Sequence, residues 1–165
     1  MKKMAKVLVM MCVVAGLLLG GQPGTTSKAA GSKEKAMCAA ALKRTGNAKK
    51  LNYKSTTPYE FDAISYKHQK KVKSMYFVTS DNTAYVICVA KAKTTKQAKA
   101  LYSAFGKYKY NKMHDTYFKK DYKKSEQSVI KNAVYGRKGA YVWYIAMSSK
   151  KKNLAGQAAI KKKIK

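Results

Sequence analysis

Residues 140–147 read AYVWYIAM, an uncharged run dominated by β-branched and aromatic residues. That composition, bounded by Gly139 on one side and Ser148-Ser149 on the other, predicts a β-strand. Its alternation is the informative part. Tyr141, Trp143, Ile145 and Met147 share one face, while Val142, Tyr144 and Ala146 share the other. A sheet with one face in water alternates apolar with polar residues, and this strand does not. Either both faces are covered, or one remains open as an apolar, aromatic binding surface. Tyr141, Trp143 and Tyr144 are the residues such a surface would present.

The neighbouring sequence turns the strand into a sheet. Gly136-Arg137-Lys138-Gly139 reads as a hairpin loop, with glycines for unusual φ, and Ala133–Tyr135 reads as the strand before it. Upstream, Val72–Ser80 and Ala84–Ala90 read as two strands joined at the turn signal Asp81-Asn82. Ala84-Tyr85-Val86-x-x-x-Ala90 recurs as Ala140-Tyr141-Val142-x-x-x-Ala146, and Gln97-Ala98 recurs as Gln157-Ala158. Thr94 or Thr95 caps a helix whose apolar positions Ala98, Leu101, Tyr102, Phe105 and Tyr108 form one 3.6-residue stripe. A last helix is expected to run to about Ile164, with Ser148 and Ser149 as cap candidates; its Leu154, Ala158, Ile160 and Ile164 make no single stripe, and its KKKIK end is expected to fray. Ser125 opens a short helical turn, and 109–124 reads as irregular. The fold class is therefore α+β: an antiparallel four-stranded sheet built from two strand–strand–helix units, with helices on one face and an extra N-terminal helix over 32–44.

The beginning of the chain has a different character. Lys2, Lys3 and Lys6 precede an apolar run of 14 residues, Val7–Gly20, followed by Pro23 and by small residues Ser27 and Ala29. A charged start, a short apolar core and a small-x-small site are the pattern of a cleavable secretory signal over 1–29. The core is short of the ~20 residues a membrane-spanning helix needs. Cys12 sits inside it after Met10 and Met11, without the small residues of a lipidation site. The rest divides into an N-terminal helix and connector, 30–66, and an α+β domain, 67–165. The expected location is extracellular or envelope-associated.

Cleavage after Ala29 removes four of the 36 basic residues and none of the seven acids, taking the net charge from +29 to +25. Only Arg44 and Arg137 are arginines. Lysine is a mobile point charge, whereas arginine reads carboxylate or phosphate in a bidentate fork. A lysine surface therefore predicts diffuse attraction to anionic wall polymers or a membrane surface, with solvation of a lysine-rich composition as the alternative. Lys150, Lys151, Lys152, Lys161, Lys162 and Lys163 are the candidate contacts. Tyrosines 102, 108, 110, 117 and 122 interleave with lysines in a way that resembles a single-strand nucleic-acid surface. No nucleic-acid motif accompanies them, and no specific nucleic acid is expected.

Chemistry is sparse. His68 and His114 have no metal-ligand neighbour at helical spacing, and the few acids show no paired-carboxylate pattern. Cys88 with His114 would make a thiol–base pair only if Cys88 left the middle of an apolar strand. No phosphate-cradling glycine loop is present. The reading is a non-enzymatic chain without cofactor or metal. Cys38 and Cys88 survive cleavage; they form a disulfide if they meet, and otherwise are two buried thiols.

Asn132–Ser149, NAVYGRKGAYVWYIAMSS, resembles a family of small exported proteins and lipoproteins of Gram-positive anaerobes catalogued as a domain of unknown function. Asn132-Ala133, then Lys138-Gly139-x-Tyr141-Val142, then the strand and last helix carry the resemblance; the hairpin at 72–90 and its helix also fit. It spans roughly residues 66–165 and implies an envelope or extracellular setting, with no catalytic or ligand residues. Family members often bear a lipobox cysteine, which this chain lacks. The functional expectation is an exported domain held electrostatically at anionic envelope polymers or lipids, with a specific binding module using the aromatic sheet face as the alternative.

Overall fold

The computed structural model describes residues 32–80 and 83–165. The signal segment 1–29 and the Asp81-Asn82 turn lie outside the described residues.

The chain is α+β, and its sheet has five antiparallel strands rather than four. They are β1 (Tyr53–Ser55), β2 (Val72–Thr79), β3 (Val86–Ala92), β4 (Val134–Lys138) and β5 (Tyr141–Ala146), in the spatial order β1-β2-β3-β5-β4. The added strand is three residues, YKS, on the edge beside β2, with two of the three exposed. Such a segment has no alternating apolar pattern to reveal it.

The two hairpins meet at the centre of the sheet, where β3 pairs with β5. Val86 lies opposite Ala146, Cys88 opposite Tyr144 and Ala90 opposite Val142. These pairs place the two AYVxxxA copies in symmetric register, with Cys88 and Tyr144, equivalent positions of the repeat, facing each other. Equivalent residues also share a sheet face: Val86, Cys88 and Ala90 lie in one core with Val142, Tyr144 and Ala146. The strands thus obey a pseudo-two-fold perpendicular to the sheet.

The helices break that symmetry. Helix α3 (Thr95–His114) packs on the Cys88/Tyr144 face, together with α4 (Thr116–Asp121), α5 (Lys124–Lys131) and Phe61 and Ile64 from the connector. Helices α1 (Ser32–Thr45) and α6 (Lys150–Lys163) cover the opposite face, over Ile87, Val89, Trp143 and Ile145. The expectation of helices on one face is therefore corrected: they lie on both. The reason is visible in β3 and β5, whose side chains other than Lys91 are apolar in both directions and buried. A perpendicular two-fold carried through the helices would stack both on one face and leave the other to water. The one-turn helix α2 (Tyr66–Gln69) precedes β2.

Four local expectations change. Of the loop expected at 136–139, Gly136, Arg137 and Lys138 belong to β4, and the turn is Gly139-Ala140. Helix α3 runs on through 109–114, and α4 follows it, so the stretch expected to be irregular is mostly helical. Asp115 marks the break: its side chain accepts from the Tyr117 and Phe118 N–H groups and caps α4. In α6 the buried residues are Asn153, Gly156 and Ile160, followed by Ile164 just beyond its end, while Leu154 points outward. That is one stripe at helical spacing, but half of it is Asn and Gly, which hydropathy does not count. The KKKIK end is held rather than frayed: Ile164 is buried, and Lys138 Nζ donates to the Ile164 carbonyl at 2.8 Å.

Asn153 is the joint of that half of the molecule. Its Oδ1 accepts from the Met147 N–H (3.3 Å), and its Nδ2 donates to the Asn132 (2.9 Å) and Ser148 (3.2 Å) carbonyls. From the other side, Asn47 Nδ2 donates to the Met147 carbonyl at 2.7 Å. Asn47 can do so because it follows Gly46 into the left-handed region, at φ 61° after Gly46 at φ 72°. Both residue types tolerate that conformation, and together they end α1.

Candidate anion-binding surface

The lysines of α6 fall into two groups set by the helix itself. Ser149 caps its first turn, with the hydroxyl accepting from the Lys152 N–H, and that turn contains Lys150, Lys151 and Lys152. Lys161, Lys162 and Lys163 occupy the last turn, and all six side chains are exposed. The last-turn lysines complement the negative end of the helix dipole; the first-turn lysines oppose its positive end. No acid sits in that first turn to offset them. Helix α3 likewise has Lys96 and no acid in its first turn.

The residues expected to form an aromatic binding face are not available for one. Trp143 and Tyr144 are both 0% exposed, and Tyr141 is buried. As neighbours on one strand they also point to opposite sides: Trp143 toward α6, Tyr144 toward α3. The Trp143 indole N–H donates to Gln157 Oε1 at 3.0 Å. Tyr144 is ringed by Phe61, Phe105 and Tyr108, with centroids 5.5–6.3 Å away. Burial, then the nearby Tyr108 and Tyr135, pushes its hydroxyl pKa well above the ordinary tyrosine value. The face that reads as aromatic in sequence is core.

Cys38 and Cys88 are buried free thiols. Cys88 belongs to the core under α3, and Cys38 to the core under α1 and α6, so the sheet lies between them, and of the two alternatives left open by the sequence the structure shows the buried thiols. Cys38 Sγ donates to the Tyr76 carbonyl at 3.3 Å. Burial raises the pKa of both thiols, away from the thiolate that nucleophilic chemistry requires.

The histidines are engaged locally. His68 Nδ1 lies 2.8 Å from the Ser65 hydroxyl, and burial, then Lys71 and Lys67, lowers its pKa. His114 stacks on Tyr110 at 4.0 Å and bonds that residue's carbonyl. Among the described residues no three His, Cys, Asp or Glu side chains are grouped to hold a metal ion. Among the same residues no helix is long and apolar enough to cross a membrane.

One hollow was not foreseen from the sequence. About 450 Å³ opens beside β1 and β2, lined by Tyr53, Glu60, Asp62, Tyr108, Lys112 and Tyr122 among others. Tyr53 donates to Glu60 Oε2 at 2.6 Å, and hydrogen bonds from Ser55 and Tyr53 lower the Glu60 pKa. Lys112 Nζ lies 5.7 Å over the Tyr108 ring. The hollow thus already holds a cation on an aromatic face and two carboxylates near it. Residues 53, 60, 62, 108 and 122 share no sequence spacing, so only the fold assembles it.

No family model matches the chain, and no curated protein or solved structure does either.

Proposed function

We propose that this chain is an exported, non-enzymatic domain that associates through its lysine surface with anionic polymers or lipid headgroups of the cell envelope. The observation that carries the reading is the first turn of α6. Lys150, Lys151 and Lys152 stand exposed at the end of a helix where cations are disfavoured, with no acid to compensate. Each such placement costs about 0.3–1 kcal/mol of helix stability. A solvated surface has no need of lysines there, whereas a polyanion contact gains from each of them. The export signature read in 1–29 and the family resemblance support a setting in which wall polymers and lipid headgroups occur.

Co-sedimentation with anionic lipid vesicles across a salt series tests it. Each lysine near such a surface contributes about 1 kcal/mol. Replacing Lys150, Lys151 and Lys152 together with Gln should therefore weaken binding by about two orders of magnitude at low salt. Binding by the unsubstituted chain should fall steeply towards 0.5 M salt as screening sets in. Salt-independent binding, or a triple variant that binds as well as the original, refutes the proposal.

A further inference from the structure

Diffuse charge does not account for the groove over the edge strand β4. It has a volume of about 460 Å³ and passes from α3 on one sheet face to α6 on the other. Lys99 and Tyr102 line it from α3, Lys161 lines it from α6, and Tyr135 and Arg137 rise from the strand between them. Three cations therefore converge on it from three separate elements.

The groove has a shape as well as a charge. Position 136 must be glycine, because a Cβ there would come within 2.5 Å of Trp143 Cζ2. The bare backbone of β4 thus lies directly against the indole and forms the floor. Among the described residues β4 is the outer strand of the sheet, and one of its edges pairs with no other described strand. Tyr102 is 38% exposed, and its ring packs at 48° and 5.1 Å against Tyr135, which fixes its orientation. Arg137 is one of only two arginines in the chain, and its guanidinium can grip a carboxylate with two parallel hydrogen bonds.

We infer that this groove binds an acidic sugar chain: a pyranose ring lies on Tyr102, its carboxylate is held by Arg137, and Lys99 and Lys161 meet the acidic groups of adjoining units. A sugar ring offers one apolar C–H face and a rim of hydroxyls. The first matches a single oriented aromatic ring, and the second matches the outer edge of β4. A nucleic-acid strand would instead use a row of rings along a basic track. The other strongly exposed tyrosines near α3, Tyr110 and Tyr117, are not among the residues of the groove. The inference rests on the polyanion reading for the charge of the ligand, and adds a locus and a chemical class to it.

Trp143 is the only tryptophan and lies buried beneath the Gly136 backbone that floors the groove, so its emission senses occupancy through that floor. The chain is titrated with an oligogalacturonate of about six units, with polyphosphate of matched charge, and with oligo-dT. Oligogalacturonate is expected to shift Trp143 emission saturably. Tyr102→Ala and Arg137→Gln should each weaken that binding at least tenfold, while Tyr102→Phe, which keeps the ring, retains it. Both altered side chains are solvent-accessible, and an unchanged thermal midpoint confirms that the variants fold. If Tyr102→Ala binds oligogalacturonate unchanged, or if polyphosphate or oligo-dT gives the same shift with the same dependence on Tyr102 and Arg137, the sugar assignment is wrong. Salt-sensitive binding of all three polyanions that ignores both residues would leave the diffuse reading standing and remove this one. Tyr102-dependent uronate binding that survives 0.5 M salt would do the reverse.

Discussion

Replacing Asn153 with Ala should destabilise the protein by about 3 kcal/mol. Asn153 is fully buried and makes three hydrogen bonds, to the Met147 N–H and to the Asn132 and Ser148 carbonyls. Truncation leaves those backbone groups without their partner, at about 1–1.5 kcal/mol each. Ala is the better helix former inside α6, which returns up to about 0.7 kcal/mol. The net loss is a large fraction of the 5–15 kcal/mol that typically separates folded from unfolded chains. Urea unfolding followed by Trp143 emission measures it, because that indole is buried and unique. With a slope of ~1.5–2 kcal/mol/M the midpoint should fall by about 1.5–2 M at unchanged slope. Asn153→Asp keeps the acceptor for Met147 but loses both donations and adds a buried charge, so it should be no more stable than the Ala variant at pH 7. A loss below about 1 kcal/mol for Asn153→Ala would refute the view that this side chain joins β5, α5 and α6.

Other outcomes follow from the same packing and electrostatics. Gly156→Ala places a Cβ 2.8 Å from Thr45 Cγ2 and 3.4 Å from the Ala41 carbonyl, so the Thr45 side chain or the α1–α6 packing must shift. Denaturation should show a loss of about 1–2 kcal/mol, overpacking outweighing the helix-propensity gain, and Thr45→Ser in the same chain should recover part of it. The triple change of Lys150, Lys151 and Lys152 to Gln should raise the thermal midpoint, by about 1–2 kcal/mol equivalent, while it lowers polyanion affinity. Cys38 and Cys88, with pKa values raised by burial, should resist a thiol reagent at pH 8 in the native state and react at once in urea. Because the folded state holds both thiols protonated above their unfolded pKa of about 8.5–9, the stability they contribute is complete below that pH and declines above it. A Cys38→Ala, Cys88→Ala chain should therefore lose stability less steeply between pH 9 and 11, as read by urea midpoints.

Much of the fold is legible in one dimension because its signals are local. The hairpins at 72–92 and 134–146 declare themselves through β-branched and aromatic runs broken by turn residues. The amphipathic part of α3 declares itself through Ala98, Leu101 and Phe105. What escaped was either too short or carried by residues that hydropathy ignores. β1 has three residues, and the buried stripe of α6 depends on Asn153 and Gly156. Asn153 is buried because it satisfies three backbone groups from distant segments, and Gly156 because two helix backbones approach there. Neither reason appears in the local sequence. The hollow at Glu60 and Asp62 and the groove at Arg137 were invisible for the same cause: each draws on three or more elements.

The strand AYVWYIAM shows where the division falls. Its sequence alone determined that it is a strand, that both its faces are apolar, and that it repeats the strand at 84–90. Whether those faces meet helices or a ligand was decided only in three dimensions. α3 took one face, and α1 with α6 took the other, placing Trp143 and Tyr144 in separate cores. Alternation along a strand depends on each residue and its neighbours, so it can be read directly. The cover depends on which helix crosses to which side, and that is settled by burying apolar area over the whole sheet at once.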